Sequence, residues 1–364
     1  MSRPKVIAFY LPQYHPTPHN NEWWGEGFTE WTNVAKAKRL FPGHYQPKIP
    51  ADLGFYDLRI PEVRNKQAEL AKEAGIEGFC YYHYWFKKGA EELDMPFKEV
   101  LKTKSPDFPF CLCWANESWH RKFWKNDGSV NKQVLVEQIY EGENENREHF
   151  YSLLDAFLDH RYIRIDNKPV FVIYQPLLFR GVKEFIDLWN RLAKDNKLDG
   201  IFFIGYTLNA DKCYNEIKAL GFDAVCSCRL GEKINTNNII KRITISIKSR
   251  LGIPRKYDYS KIFHSFIGDL EKNNEDVFPT LIPNWDHTPR SGSGGYLYTN
   301  STPTLFEKHA DEVFGSISKK TEERQIVFLK SWNEWGEGNY MEPDLKFGKG
   351  YIHALNKSLA KLMK

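Results

Sequence analysis

Residues 331–338 (SWNEWGEG) set two carboxylic acids, Glu334 and Glu337, three positions apart among tryptophans and glycines. Two neighbouring acids in unlike surroundings take different pKa values, so that one donates a proton while the other stays ionised. Chemistry at a glycosidic bond needs that division of labour. Gly336 and Gly338 permit a tight bend that turns both acids to one side. A solvated loop that merely holds two acids is the plainer alternative. The flanking Trp332 and Trp335 argue against it, because indoles are costly to leave in water.

Other reaction types find little footing. The chain has no H-E-x-x-H zinc pattern, no G-x-x-x-x-G-K phosphate loop and no G-x-S-x-G elbow. It also lacks an Asp-x-Asp triplet for a nucleotide-sugar metal, and no cofactor or metal is called for. Residues 291–295 (SGSGG) read as a rim loop rather than a phosphate cradle. An aldolase would want a lysine at a strand end, and Lys330 is the one candidate. A non-catalytic glycan-binding barrel is a further alternative.

The elements that must position these acids alternate regularly. Apolar runs at 6–10, 78–84, 110–114, 170–174, 201–206, 224–227, 280–283 and 325–330 read as strands. Helical patterns follow at 61–74, 91–102, 134–159, 183–195, 212–220, 260–270, 304–314 and 351–363. Strands that are continuously apolar between helices imply a parallel sheet covered on both faces. Eight such units predict an α/β fold, a (β/α)₈ TIM barrel, expected to span 1–364 as one domain. A doubly wound open sheet is the runner-up, without the glycine-rich fingerprint it would carry after strand one. Two long insertions, at about 13–56 and 230–259, follow strands one and six and are expected to fold over the catalytic face.

In this fold the strand C-termini build the active site. The candidate sugar-binding residues there are Tyr10 and Tyr14 after strand one, and Tyr82, His83 and Trp85 at strand two. Trp114, Asn116 and Glu117 follow at strand three, Tyr174 at strand four and Tyr206 at strand five. Trp285, Asp286 and Arg290 stand at strand seven, and Trp332, Asn333 and Trp335 surround the two acids at strand eight.

Composition is consistent with this reading without proving it. Aromatic residues make up 15% of the chain, enough either for a large core or for a cleft that stacks sugar rings. The net charge of +4 is modest, and no basic–aromatic repeat points to nucleic acid. The first residues, MSRPKVIAFYLPQYH, do not resemble a secretory leader, and no run of 18 apolar residues occurs. A cytoplasmic protein is therefore expected, with its six cysteines buried and reduced. Residues 233–256 carry Lys233, Lys241, Arg242, Lys248, Arg250, Arg255 and Lys256 without an acid, interleaved with isoleucines. A solvated insertion and a peripheral contact with an anionic membrane through 239–256 both fit.

The segments VIAFYLPQYHP, NEWWGEGFTEWTNVAKAKRLFPGHYQPKIPADLGFYDLR, GFCYYHYWF, CWANESW, NWDHTPR and SWNEWGEG together resemble the WbsX-like family over nearly the whole chain. Its members are described as glycosyltransferases of lipopolysaccharide O-antigen and capsule synthesis. The N-E-W-x-E-G segment is also distantly similar to glycoside hydrolase family 99, the endo-mannosidases. That resemblance implies action with retention on an oligo- or polysaccharide; no cofactor is expected, and a lipid-linked glycan would suit the membrane reading of the basic segment. It implies Glu334 as base toward a sugar 2-hydroxyl, giving an anhydro-sugar, and Glu337 as acid/base on the leaving group. It also implies Tyr82 and His83 as sugar contacts. Gly336 departs from the pattern, standing where family 99 commonly has a bulkier residue.

Overall fold

The computed structural model describes residues 3–124, 130–231 and 252–362. Eight parallel strands close into a barrel: β1 (Lys5–Tyr10), β2 (Gly78–Trp85), β3 (Phe110–Trp114), β4 (Lys168–Ile173), β5 (Phe202–Thr207), β6 (Ala224–Ser227), β7 (Val277–Leu281) and β8 (Ile326–Leu329). Closure is made by β1, which pairs with β2 (Phe9 opposite Cys80) and with β8 (Ile7 opposite Phe328). The fold is thus the (β/α)₈ barrel that the alternation predicts.

The strands are buried on both faces, and alternation along each one decides which residues reach the interior. Phe9, Tyr82, Tyr206 and Phe328 meet inside, whereas Phe110 and Trp114 pack outward against the helices. Helix Val182–Asp195 shows how the outer layer is held. Phe185, Leu188, Trp189 and Leu192 recur at helical spacing and are buried, with Trp189 4.8 Å from Phe171 of β4. All six cysteines are unpaired, and all but Cys213 are buried.

The sequence-predicted elements need four corrections. Residues 134–159 are not one helix. Val130–Val136 pairs antiparallel with Trp119–Trp124, and the helix is Glu143–Leu158, beginning after Gly142. The run QVLV has β-branched residues in alternation, which suits a hairpin better than a helix. The helix expected at 91–102 starts at Met95, because Glu91–Glu92 adds to the end of β2. The helix expected at 260–270 is broken into Tyr259–Ile262, a tight turn Phe263–Phe266 and Asp269–Asn273, with Gly268 preceding the last piece. Finally, Arg255–Asp258, inside the second insertion, is a strand paired in parallel with Tyr296–Thr299. Most of the basic segment, 232–251, lies outside the described residues.

Candidate active site

The site grows from the end of β8. Lys330, buried to 4% exposure, points its ammonium at Glu334 Oε2 (2.8 Å) and lies 3.8 Å from Glu337 Oε2. It also donates to the Tyr82 hydroxyl at 3.3 Å. A tight turn, Trp335–Glu337, brings the second acid round, and Gly338 ends it in the left-handed region at φ 55°, a conformation that glycine adopts at little cost. Ser331 Oγ accepts from the Glu334 N–H at 3.2 Å and donates to the Asn339 carbonyl at 2.8 Å. The Glu337 carbonyl accepts from the Asp286 N–H at 2.7 Å, tying the turn to the loop after β7.

The two acids sit in unlike fields. Burial pushes the Glu334 carboxyl up and the negative Glu337 adds to this, against the pull of Lys330 and Arg290. Burial acts on Glu337 in the same direction. Arg290, Lys330 and His287 outweigh it and hold that carboxyl below its usual value. Arg290 Nη1 donates to Glu337 Oε1 at 2.6 Å, and His287 Nε2 lies 3.8 Å from the same oxygen. Burial works against the charge on Lys330, but Glu334, Tyr82 and Glu337 raise its pKa well above the usual lysine value. An amine kept protonated has no lone pair for a carbonyl, which argues against the aldolase alternative.

Aromatic walls enclose this charge cluster. Tyr174 and Tyr206 stack at 4.8 Å, Tyr82 lies on Phe9 at 5.5 Å, and Trp285 stacks on Tyr296 at 5.5 Å. The Lys330 ammonium is 5.9 Å from the Trp285 ring. The buried Trp285 indole N–H has no hydrogen-bond partner among the described residues. Of the sequence-predicted residues, Tyr82, Tyr174, Tyr206, Trp285, Arg290, Glu334 and Glu337 therefore come together.

The others are turned elsewhere. His83 and Trp85 face the helix layer: His83 Nε2 is 2.8 Å from His149 Nε2, and Trp85 stacks on His149 at 4.5 Å. Burial lowers the His83 pKa to about 3. Trp114 lies in the same outer layer and donates to the Trp85 carbonyl at 2.9 Å. The sugar contact implied for His83 is corrected by this geometry, since it follows Tyr82 directly on β2 and so takes the opposite face. Tyr10 also faces outward, donating to Gln67 at 2.7 Å. Asn333 grips the Leu11 backbone from both sides, at 2.7 and 3.0 Å, and Tyr14 donates to the Asn333 carbonyl. Trp332 is buried against Phe79, and Trp335 stacks on Tyr340 at 3.8 Å. Asp286 is held by His44 (2.8 Å), Gln46 (2.7 Å) and Thr288 (2.6 Å). Asn116 bridges Tyr140 and Gln175, and Glu117 is exposed, 3.5 Å from the Gln175 amide.

Several site residues escaped the sequence reading. The sequence marks Lys330 only as a candidate Schiff-base lysine. Tyr84 feels both Glu334 and Arg290, and the alternation from Tyr82 along β2 was signal enough to find it. Glu30, buried to 1% exposure, receives Arg290 Nε at 2.8 Å, a contact across 260 positions that no local pattern announces. Glu342 lies behind the turn and accepts from Trp335 Nε1 (2.6 Å), Gln67 Nε2 (2.6 Å) and the Tyr56 hydroxyl (2.9 Å). Burial nonetheless pushes its carboxyl up to about 7. A separate cavity of 640 Å³, lined by Tyr140, Asn146, Phe179 and Arg191 among others, opens between two outer helices and shares none of these residues.

The barrel with paired acids after its last strand has the architecture of a carbohydrate-active enzyme. The chain belongs to the family described as Glycosyltransferase WbsX, whose model matches residues 6–355. It is 32% identical over 361 residues to a protein of Xanthomonas campestris pv. campestris described as uncharacterized protein WxcX, covering 98% of this chain and 50% of that one. The same protein from strain B100 is 33% identical over 364 residues, again 98% of this chain and 50% of the relative. The chain thus spans about half the length of the curated relatives it matches. Among solved structures, a family 99 endo-α-mannosidase from Bacteroides thetaiotaomicron superposes with a TM-score of 0.61 at 14% identity, covering 99% of this chain and 97% of that one. A glycoside hydrolase-like protein superposes with a TM-score of 0.59 at 15% identity, covering 99% and 94%. At those identities the likeness is one of fold. Among the described residues, no helix is long and apolar enough to cross a membrane.

Proposed function

We propose that the chain acts at glycosidic bonds with retention, as a glycosyl-transferring enzyme of lipopolysaccharide O-antigen or capsule assembly. The observation that carries this reading is the opposed tuning of two buried acids, Glu334 upward and Glu337 downward, around one protonated lysine. Glu334 takes the 2-hydroxyl proton in this proposal. A carboxylate whose pKa is raised toward working pH is the stronger base. The Lys330 ammonium steadies the negative charge that passes from Glu334 to the sugar oxygen. Glu337 protonates the departing oxygen, and the Trp285 N–H and the tyrosine walls hold the ring.

The charge order in the ligand-free site favours a second reading in which the roles are exchanged, Glu334 as acid and Glu337 as the anion. Aryl glycosides and glycosyl fluorides separate the two, because the variant lacking the acid keeps turnover when the leaving group needs no proton. Retention of turnover by Glu337→Gln supports the first assignment, and by Glu334→Gln the second. On unactivated substrate either variant is expected to lower kcat by about 10²–10⁴-fold. Unchanged sugar binding and an unchanged in-cell phenotype in both would instead favour a non-catalytic glycan-binding barrel.

An endo-acting hydrolase or transglycosylase is the principal alternative, supported by the missing nucleotide-sugar metal motif. Product analysis on a defined oligosaccharide, with and without nucleotide-sugar, decides it. Turnover in water alone rejects the transferase. A lipid-linked acceptor and a membrane contact through 239–256 belong to the same proposal, and a cytoplasmic location goes with it. Arg255 lies over Tyr296 at 5.7 Å and Lys256 over Phe41 at 4.2 Å, so the contact would rest on the residues before them. Pelleting with anionic liposomes that is unchanged on deleting 236–256 would reject it.

A further inference from the structure

Arg290 serves two carboxylates at once. Its Nη1 donates to Glu337 Oε1 at 2.6 Å, and its Nε donates to Glu30 Oε1 at 2.8 Å. Glu30 begins the short helix Glu30–Lys36 in the insertion after β1, and its backbone N–H donates to the Gln13 carbonyl at 3.0 Å. Its second oxygen is 3.5 Å from the Asn33 amide. The carboxylate is pressed against the catalytic turn itself, since a Cβ built on Gly336 would stand 1.5 Å from Glu30 Oε1. Gly336 is therefore glycine for want of space, and the space is filled by a charge from the insertion.

From this arrangement we infer that Glu30 is a positioning residue for Glu337: by sharing Arg290, it limits the positive charge that reaches the second acid. The inference rests on the reading in which Glu337 carries a working proton. The charged and titratable groups facing Glu337 are Arg290 and His287 from the loop after β7, Lys330 at the end of β8, and Glu334 on its own turn. The Tyr174 and Tyr296 hydroxyls also feel its charge. Three of these groups are cationic or can become so, and together they already hold Glu337 below its usual value. Undiluted by Glu30, Arg290 would hold it lower still, and an acid so stabilised as its anion is a poor proton donor.

The test is a ¹³C NMR titration of the glutamate side-chain carboxyls in the full chain, with the Glu337 resonance assigned through Glu337→Gln. Glu30→Gln keeps an oxygen for Arg290 Nε but removes the charge. The expected result is a downward move of the Glu337 midpoint by about one pH unit, the ordinary spread of carboxyl values in folded proteins. Gly336→Ala displaces the Glu30 carboxylate by contact and is expected to move the midpoint the same way, so the inference does not depend on one variant folding. A midpoint that stays, or rises because Arg290 has swung away, overturns it and leaves Glu30 as an anchor only. The titration needs no substrate. A failed sugar-chemistry reading therefore leaves the result standing, and an unmoved midpoint in an active enzyme overturns only the role of Glu30.

Discussion

Two segments cover the barrel mouth, and they are held by different physics. The stretch after β1 buries Glu30, His44, Gln46 and Lys48. Each meets a polar partner at the site: Glu30 takes Arg290, His44 and Gln46 take Asp286, and Lys48 donates to the Gly338 carbonyl at 3.2 Å. The patch formed by Arg255–Asp258 and Tyr296–Thr299 is held by a short parallel ladder and by rings, with Lys256 over Phe41 and Tyr296 on Trp285. Buried hydrogen bonds tolerate one geometry, and a partly satisfied network is costly. Exposed cation–ring contacts are weaker, about 0.5–1 kcal/mol each. The first cover is thus tied to the two-acid turn by buried polar contacts, while the second rests on a short ladder and on rings.

Removing a buried charge from the first cover is the severest way to break this contrast. Asp286→Ala leaves His44 and Gln46 without their acceptor and is expected to cost about 3–5 kcal/mol in chemical denaturation. A loss under about 1 kcal/mol would put both covers in one class. The next effect comes from Glu342, which joins the first insertion to the turn through Tyr56 and Trp335. Its folded pKa of about 7 exceeds its ordinary value of 4.5. The folded state therefore holds the proton to higher pH than the unfolded chain. Stability from this group is fully present below pH 4.5 and is lost as pH rises through about 7. The span corresponds to about 3 kcal/mol. Thermal denaturation at pH 5 and pH 8 should show Glu342→Gln losing less stability over that interval than the parent protein, and parallel curves would contradict the burial argument. The smallest effect is on the second cover, where Lys256→Ala should cost only about 0.5–1 kcal/mol. A larger loss would show that this cover, too, is locked.

Much of the barrel could be read from the sequence because its strands are apolar on both faces and its helices repeat at their own period. Helix Pro61–Ala74 begins at its proline and ends before Gly75, as the residues predict. The paired acids were legible for a similar reason, since Glu334 and Glu337 carry their setting of Trp and Gly with them. What surrounds them was not. His83 and Tyr82 look alike as polar aromatic residues at a strand end, and only the facing of β2 separates the wall residue from the outer-layer one. Glu30, Arg290 and Gly336 meet from three distant segments, and local propensity says nothing of such contacts. The hairpin Trp119–Trp124 and Val130–Val136 was missed because a short apolar run beside a helix takes on the helix's period.

The pairing of β2 has a consequence for how finely the site is specified. Ile7 stands opposite Gly78 on one side of this strand and Cys80 opposite Cys111 on the other. Slipping the strand by a single residue would carry Tyr82 and Tyr84 into the helix layer and bring the imidazole of His83 and the indole of Trp85 against the two acids. The identity of the groups that meet a substrate is thus written in the phase of a backbone ladder, and the loops above inherit an accuracy they do not themselves supply.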